Sequence, residues 1–267
     1  MLDDFRLIQH KFSSTISLIP IADVHLGAIE HNKEAWEAFL RIVDKDTSIR
    51  VGLVGDLVNN SVRNSVANPF DEILRPREQK KLMVEYLSPI KDRIIFSVCG
   101  NHESRTIKEA DQDIAYDIMA KLDLEDIYRE NIAFVKLGCG ERQDSTHASG
   151  IRNASTYTIV ATHGAGGGIY TGSSVNRGER FGNVIENMDV LITAHTHKGY
   201  VSRPSKIVID TANNIVTQKS YIVVSAESWL NYGGYASRKM LLPAESSNPQ
   251  KIILSDNSHR KSIEVRW

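Results

Sequence analysis

The chain has 267 residues, 41% of them hydrophobic and 24% charged, a balance that suits one large globular domain with a substantial core. Its net charge of -1 supplies no global basic field for nucleic acid, and no apolar run approaches the ~20 residues that cross a bilayer. Cys99 and Cys139 are too few for a disulfide framework, and Asp3 and Asp4 without a long apolar run give no signal peptide, so a cytoplasmic setting is expected.

Residues 16–22 form a short apolar run rich in β-branched side chains. They read as a buried strand that ends at Asp23-Val24-His25. Asn32 is placed to cap a helix whose Trp36, Phe39, Leu40 and Val43 recur at helical spacing. Residues 49–54 give the next buried strand and deliver Gly55-Asp56, while the polar, aperiodic residues 59–69 read as a loop. Pro76 suits the first turn of a helix to about Leu87, with Leu82, Met83, Tyr86 and Leu87 as its inner stripe. A third buried strand at 94–98 delivers Gly100-Asn101-His102-Glu103. Asp111 is expected to cap a further helix through Ile114, Ile118, Met119 and Leu122.

This alternation of strand and helix predicts a parallel sheet covered by helices, with sites at the carboxyl ends of its strands. The second half changes character. Strands are expected at 134–137, 156–161, 190–193, 206–209, 215–218, 221–224, 252–254 and 262–265, with Thr211-Ala212-Asn213-Asn214 as a hairpin turn. The second half therefore packs mostly as sheet against the first. No internal repeat or linker interrupts the chain, so residues 1–267 are expected to form a single domain.

Five motifs carry the chemistry: Asp23-Val24-His25, Gly55-Asp56, Gly100-Asn101-His102-Glu103, His163-Gly164 and His195-Thr196-His197, which hold five of the nine histidines. In extended chain, residues i and i+2 point to the same side, so Asp23 and His25 can reach one cation, and His195 and His197 can serve a shared site. Two ions ~3.5–4 Å apart need a bridging carboxylate, for which Asp56 is placed. Asn101 adds a neutral oxygen, which limits the negative charge that an approaching phosphate meets. Glycines beside the donors (Gly55, Gly100, Gly164) permit turns that a Cβ would hinder. Carboxylate with imidazole suits Mn, Fe or Zn better than Ca or Mg. Two divalent ions are expected, manganese first, with Fe, Zn, Ni or Mg as alternatives.

The ordered set resembles the calcineurin-like metallophosphoesterase superfamily, whose pattern runs D-x-H, G-D, G-N-H-[DE], H and G-H-x-H; the likeness spans about residues 16–197. The resemblance implies an α/β fold, a four-layer α/β/β/α sandwich with two central mixed β-sheets. It implies that Asp23, His25, Asp56 and His197 hold one metal, and that Asp56, Asn101, His163 and His195 hold the other. His102 would be a non-ligand histidine facing the leaving group, with Glu103 orienting it. Asp23-Val24-His25-Leu26-Gly27 also resembles the opening of SbcD-type DNA-repair nucleases, and the whole pattern is similar to compact bacterial and phage phosphoesterases.

Two departures stand out. Ala194 replaces the glycine of G-H-x-H, which costs about 1 kcal/mol if that position needs positive φ. Gly55-Asp56-Leu57-Val58-Asn59-Asn60-Ser61 lacks the arginine of protein Ser/Thr phosphatases. Arg105 is the expected substitute phosphate contact, a solvated helix-start arginine being the alternative. Gly164–Gly168 with Thr171-Gly172-Ser173-Ser174 reads either as a phosphate cradle or as a glycine-rich loop without contact. The expected activity is metal-dependent phosphoric ester hydrolysis by in-line attack of activated water. A phosphodiesterase or nuclease acting on DNA or a nucleotide comes first. The alternatives are a phosphomonoesterase on a nucleotide or small metabolite, and a non-catalytic scaffold of the same fold. No membrane partner is expected, and the oligomeric state is left open.

Overall fold

A computed structural model describes residues 5–63, 65, 69–140, 155–256 and 261–267. The first part of the chain builds β1 (Ile8–Phe12), β2 (Ile16–Ile21), α1 (Lys33–Lys45), β3 (Ile49–Val54), α2 (Pro76–Leu87), β4 (Ile94–Val98), α3 (Ser104–Ala110), α4 (Ile114–Lys121) and β5 (Tyr128–Arg129). The second adds β6 (Ile132–Cys139), β7 (Ser155–Thr162), α5 (Thr171–Gly182), β8 (Val190–Thr193) and β9 (Tyr200–Ser202). It ends with β10 (Ser205–Asp210), β11 (Ile215–Ser220), β12 (Ile222–Ser225), α6 (Gly234–Arg238), β13 (Lys251–Leu254) and β14 (Ile263–Arg266).

Among the described residues the strands form two six-stranded mixed sheets and a separate two-stranded ribbon, β10–β11. One sheet runs β14-β13-β2-β3-β4-β5, parallel from β2 to β5. The other runs β1-β6-β7-β8-β12-β9, with β7, β8 and β12 parallel.

Side-chain alternation along the strands sorts the apolar residues into layers. On β2, Ile19 and Ile21 face a core shared with Trp36 and Val43 of α1, Met83 and Leu87 of α2 and Ile118 of α4. Ile16, Leu18 and Ala22 face the other way, into a core shared with Val135, Tyr157, Ile159, Ile192 and Val224 of the second sheet. On that sheet's far side Val160, Leu191 and Val223 pack with Val175 of α5. The order helices, sheet, sheet, helix is the expected four-layer sandwich.

Asn32 caps α1 through a hydrogen bond from Ala35 N to its Oδ1, 3.2 Å, and the buried face is Trp36, Phe39, Leu40 and Val43 as the periodicity predicts. On α2 the inner stripe is Gln79, Met83 and Leu87, with Leu82 and Tyr86 only half-buried. Gln79 is buried because its amide ties loops together: Oε1 accepts from Asn60 N at 2.8 Å, and Nε2 donates to Leu74 O at 2.7 Å. The cap of α4 is Asp113, whose Oδ1 accepts from Tyr116 N at 2.9 Å. Asp111 instead ends α3 in the left-handed region, φ 53°, so the expectation for Asp111 is corrected by two residues.

Thr171-Gly172-Ser173-Ser174, which reads as either a phosphate cradle or a glycine-rich loop, forms the first turn of helix α5. Two of the helix's glycines make room for packing: a Cβ on Gly178 would sit 2.4 Å from Tyr200 Oη, and one on Gly182 would sit 2.4 Å from the Tyr221 ring. The expected interior strands all form within two residues of their predicted ends. No helix among the described residues is long and apolar enough to cross a membrane.

Candidate metal centre

The chain leaves β2, β3, β4, β7 and β8 at the same end of the sandwich, and each exit carries one of the five motifs. The first two exits are zipped together: Asp23 N donates to Gly55 O at 3.1 Å, His25 N to Asp56 O at 3.0 Å, and Leu26 N to Leu57 O at 3.0 Å. The β8 exit joins through Ala194 N to His163 O, 3.0 Å, and through His195 N to Asp23 Oδ2, 3.0 Å. Gly100 is obligatory at its place, because a Cβ there would lie 2.1 Å from both the amide and the Oδ1 of Asp56.

Five donors sit on left-handed backbone: Asp23 (φ 50°), His25 (47°), Asp56 (52°), His195 (71°) and His197 (56°). Asp and His tolerate this region better than most side chains, but each such residue still stores ~1–3 kcal/mol, a cost that clusters at functional sites. Ala194 is absent from this set and lies buried in the inter-sheet core. The positive φ falls one residue later, on His195, so alanine replaces the motif glycine without strain.

Among the described residues, three clusters have donor atoms within 4.8 Å of one another: Asp23 with His25 and His197, His25 with Asp56 and His102, and Asp56 with His163 and His195. Asn101 Oδ1 joins the last at 3.0 Å from His163 Nε2 and 2.7 Å from His195 Nδ1. Asp56 Oδ2 is the hub, 3.2 Å from His163 Nε2 and 3.8 Å from both His25 Nε2 and His102 Nε2. His25 donates Nδ1–H to Asn59 Oδ1 at 3.2 Å, and His163 donates Nδ1–H to Val54 O at 2.7 Å. Both rings thereby aim Nε2 at the carboxylates, the orientation a metal-binding imidazole needs.

The donor set fits divalent cations. Burial pushes the Asp23 and Asp56 carboxyls up, yet His197 and His163 hold them well below the usual range. Burial lowers His163, but Asp56 beside it prevails and raises it to about 10; His197 is raised in the same way by Asp23. Protons on two imidazoles therefore compensate two buried carboxylates, a task that divalent ions perform at the same atoms. His25 Nε2 and His197 Nε2 face each other at 3.2 Å, and Asp23 Oδ1, buried without a hydrogen-bond partner among the described residues, lies 3.7 and 3.3 Å from them. Such convergence of lone pairs calls for a cation between them.

His102 lies beside this set with its ring fixed by Nδ1–H donation to Asn59 O, 2.8 Å. Arg105 donates from Nη1 to the same carbonyl at 2.9 Å and from Nη2 to His102 Nε2 at 2.9 Å. Burial, His25 and Arg105 lower the imidazole to about 3, against the opposing pull of Asp56. Glu103 does not reach the His102 ring as expected. Its fully buried carboxylate accepts from Asp56 N (2.9 Å), Gly100 N (3.1 Å) and Val58 N (3.1 Å), so it fixes the backbone around the hub. Burial and the nearby Asp56 push it up to about 7.

Asn59 and Asn60, expected as the start of a polar loop and as a departure from another branch, belong to the site. Asn59 orients His25 and His102, and Asn60 donates from Nδ2 to His102 O at 2.8 Å. Their signal was present: two amides directly after a buried Gly-Asp-Leu-Val. The donors open onto a cleft of about 770 Å³ that Arg105, Gly166–Gly168, Lys198 and the stretch from Leu230 to Ala244 also line.

The model of the calcineurin-like phosphoesterase family matches residues 18–199, more than half the chain and all five motifs. The chain belongs to the calcineurin-like phosphoesterase family. The family binds dinuclear divalent metals, and the clusters around Asp56 are this member's candidates for them. The chain is similar to the DNA polymerase II small subunit of Thermoplasma acidophilum, 28% identical over 138 residues, which is 49% of this chain. It spans only 27% of that relative's length. Among solved structures it is similar to Chaetomium thermophilum Vps29 (11% identity, TM-score 0.40, covering 96% of this chain and 95% of that one). It is also similar to the Haemophilus influenzae NAD nucleotidase NadN (13% identity, TM-score 0.39, covering 95% and 49%).

Proposed function

We propose that this chain is a metal-dependent phosphoesterase that hydrolyses phosphodiesters. The observation that carries the reading is the gathering of the expected donors into adjoining clusters, linked through His25 and Asp56, at the mouth of a cleft large enough for an organic ester. One metal would be held by Asp23, His25, Asp56 and His197, and the other by Asp56, Asn101, His163 and His195. When bound, two divalent ions would lower the pKa of a water between them and neutralise charge on the phosphate oxygens. Manganese is the first candidate.

The remaining roles belong to the chain. Asn59 holds the His102 ring so that Nε2 faces the cleft, and Arg105 beside it is the cation that meets a phosphate oxygen. With the phosphate anion engaging Arg105, His102 Nε2 is released from the guanidinium, takes a proton from solvent beside the anion and hands that proton to the leaving oxygen. Glu103 keeps the Asp56 and Gly100 amides in place and never touches substrate. Likeness to a DNA polymerase subunit supports a DNA or nucleotide context and hence the diester preference. Residues 1–267 are read as one domain acting in the cytoplasm.

The test compares hydrolysis of bis-(p-nitrophenyl) phosphate and p-nitrophenyl phosphate by metal-stripped protein with Mn²⁺ restored. A faster diester rate is expected. A faster monoester rate would replace the diesterase reading with a phosphomonoesterase, and two bound ions without either activity would leave a scaffold.

A further inference from the structure

The cleft of about 770 Å³ is far larger than one phosphate requires, since sites of roughly 300–1,000 Å³ hold whole organic ligands. Its far wall is built by the stretch after β12, outside the matched residues 18–199. That wall is anchored in the core: Trp229, 1% exposed, packs on Trp36 and Phe39 at ring distances of 5.2 and 4.9 Å. Asn32 N donates to Trp229 O and Asn231 N to Glu30 O, both 2.8 Å, so the segment runs as a short ladder beside the start of α1.

Past this anchor Leu230, Tyr232 and Leu242 turn into the cleft, with Ile29 on the adjoining stretch. Tyr232 is the distinctive member. Its hydroxyl donates to Leu241 O at 2.9 Å, while the residue remains 53% exposed. The polar end is tied to backbone and the ring stays open, which presets a flat apolar platform at little entropic cost. The amide of Asn231 lines the same cavity and can both donate and accept.

The cations of the cleft are already engaged. Arg105 bonds Asn59 O and His102, Lys198 bonds Gly168 O and Ile169 O, and Arg238 pairs with Asp71 at 3.7 Å. An extended polyanion would need a row of free cations along its path. A single phosphate with one planar ring would not.

We infer that Tyr232 is a stacking platform for the planar ring of a nucleotide-sized phosphate ester whose phosphate sits on the Asp56-centred cluster. The inference rests on the phosphoesterase reading of that cluster and narrows the proposed diester to one that carries a single nucleotide, for which a nucleoside monophosphate is the product and the binding probe. Tyr232 is a specificity residue here and takes no part in bond breaking.

The experiment measures binding of adenosine 5′-monophosphate, ribose 5-phosphate and adenosine to the Mn²⁺-loaded protein by calorimetry. The first two differ in the base, which a hydroxyl replaces in the sugar phosphate. Wild-type protein should bind the nucleotide about tenfold or more tightly than the sugar phosphate without a base, the range that base–aromatic stacking supplies. Tyr232→Ala should abolish that ratio with ribose 5-phosphate affinity and metal content unchanged, which also shows that the variant is folded. Tyr232→Phe should keep most of the ratio. Equal binding of the two phosphates by wild-type protein, or a ratio unaffected in Tyr232→Ala, would overturn the inference. If the metal-centre reading alone fails, neither phosphate binds but adenosine still does, in a Tyr232-dependent way; no binding of adenosine either would sink both. A 5′-phosphorylated tetranucleotide that bound much more tightly than the mononucleotide would overturn the single-nucleotide limit.

Discussion

The two halves of the molecule supply the candidate metal centre in different ways. Asp23, His25, Asp56 and Asn101 leave parallel strands of one sheet, and the first two exits are zipped directly to each other by backbone hydrogen bonds. His195 and His197 sit on a half-exposed turn after β8 and reach the first half through Asp23, whose Oδ2 accepts from His195 N and whose backbone O accepts from Trp229 N at 3.0 Å. The first-half donors thus sit on a frame tied by its own backbone, and the second-half donors form a clip held against it. Asp56 is the hub of the frame, and Asp23 is one latch between frame and clip, with His163 on Val54 O and Asp56 as another.

The largest expected effect breaks the frame. Asp56→Ala should take metal content from roughly two ions per chain to none, because a bridging carboxylate serves both. Metal analysis of purified protein checks this, and hydrolysis should fall to background. His197→Ala, in the clip, should lose one ion and keep the other. If both variants lost the same number of ions, Asp56 would be no bridge. Next in size is His102→Ala, which should cut turnover by about 10²–10⁴-fold with metal content intact. A variant that lost its metals would make His102 a ligand, as its place in one donor cluster allows.

Glu103→Gln probes the backbone beneath the frame. Both carboxylate oxygens accept backbone N–H groups, so the glutamine NH₂ would meet a donor where an acceptor is needed, in a fully buried place. A ~10–100-fold loss of metal affinity is expected, the usual effect of disturbing a group that orients ligands. Competition with a chelator measures it. Unchanged affinity would show that the Asp56 and Gly100 amides hold their places without the carboxylate.

The same division explains what the sequence let one read. In the frame, buried parallel strands are continuous apolar runs, and each ends in a motif whose residues have few structural reasons to stand together; β2, β3 and β4 were legible to within a residue. The fold followed because strand and helix alternate there at their own periods. The clip was harder. Its helix α5 contains Gly178 and Gly182, which lower helix propensity but make room for Tyr200 and Tyr221, a reason that exists only after the sheet is formed. Edge strands such as β1 expose alternate polar residues (Gln9, Lys11) and carry a weak signal. At the site, residue types mark the candidate donors, whereas the contacts of Glu103 with backbone amides and of Asn59 with His25 and His102 are recorded by no motif.

The smallest effect lies at the seam between frame and clip. Asn32 accepts the Ala35 amide at the start of α1, and its own N–H donates to Trp229 O, so it touches both halves. Asn32→Ala removes the side-chain bonds to Ala35 N and, at 3.4 Å, to Ser247 Oγ, and the loss should be about 1 kcal/mol of stability, read as a lower urea midpoint with an unchanged slope. The backbone bond to Trp229 persists in the variant, so the wall carrying Tyr232 should stay docked and metal content should not move. A loss of metal in Asn32→Ala would mean that the cap, rather than Asp23, holds the clip in register, and frame and clip would then be one cooperative unit.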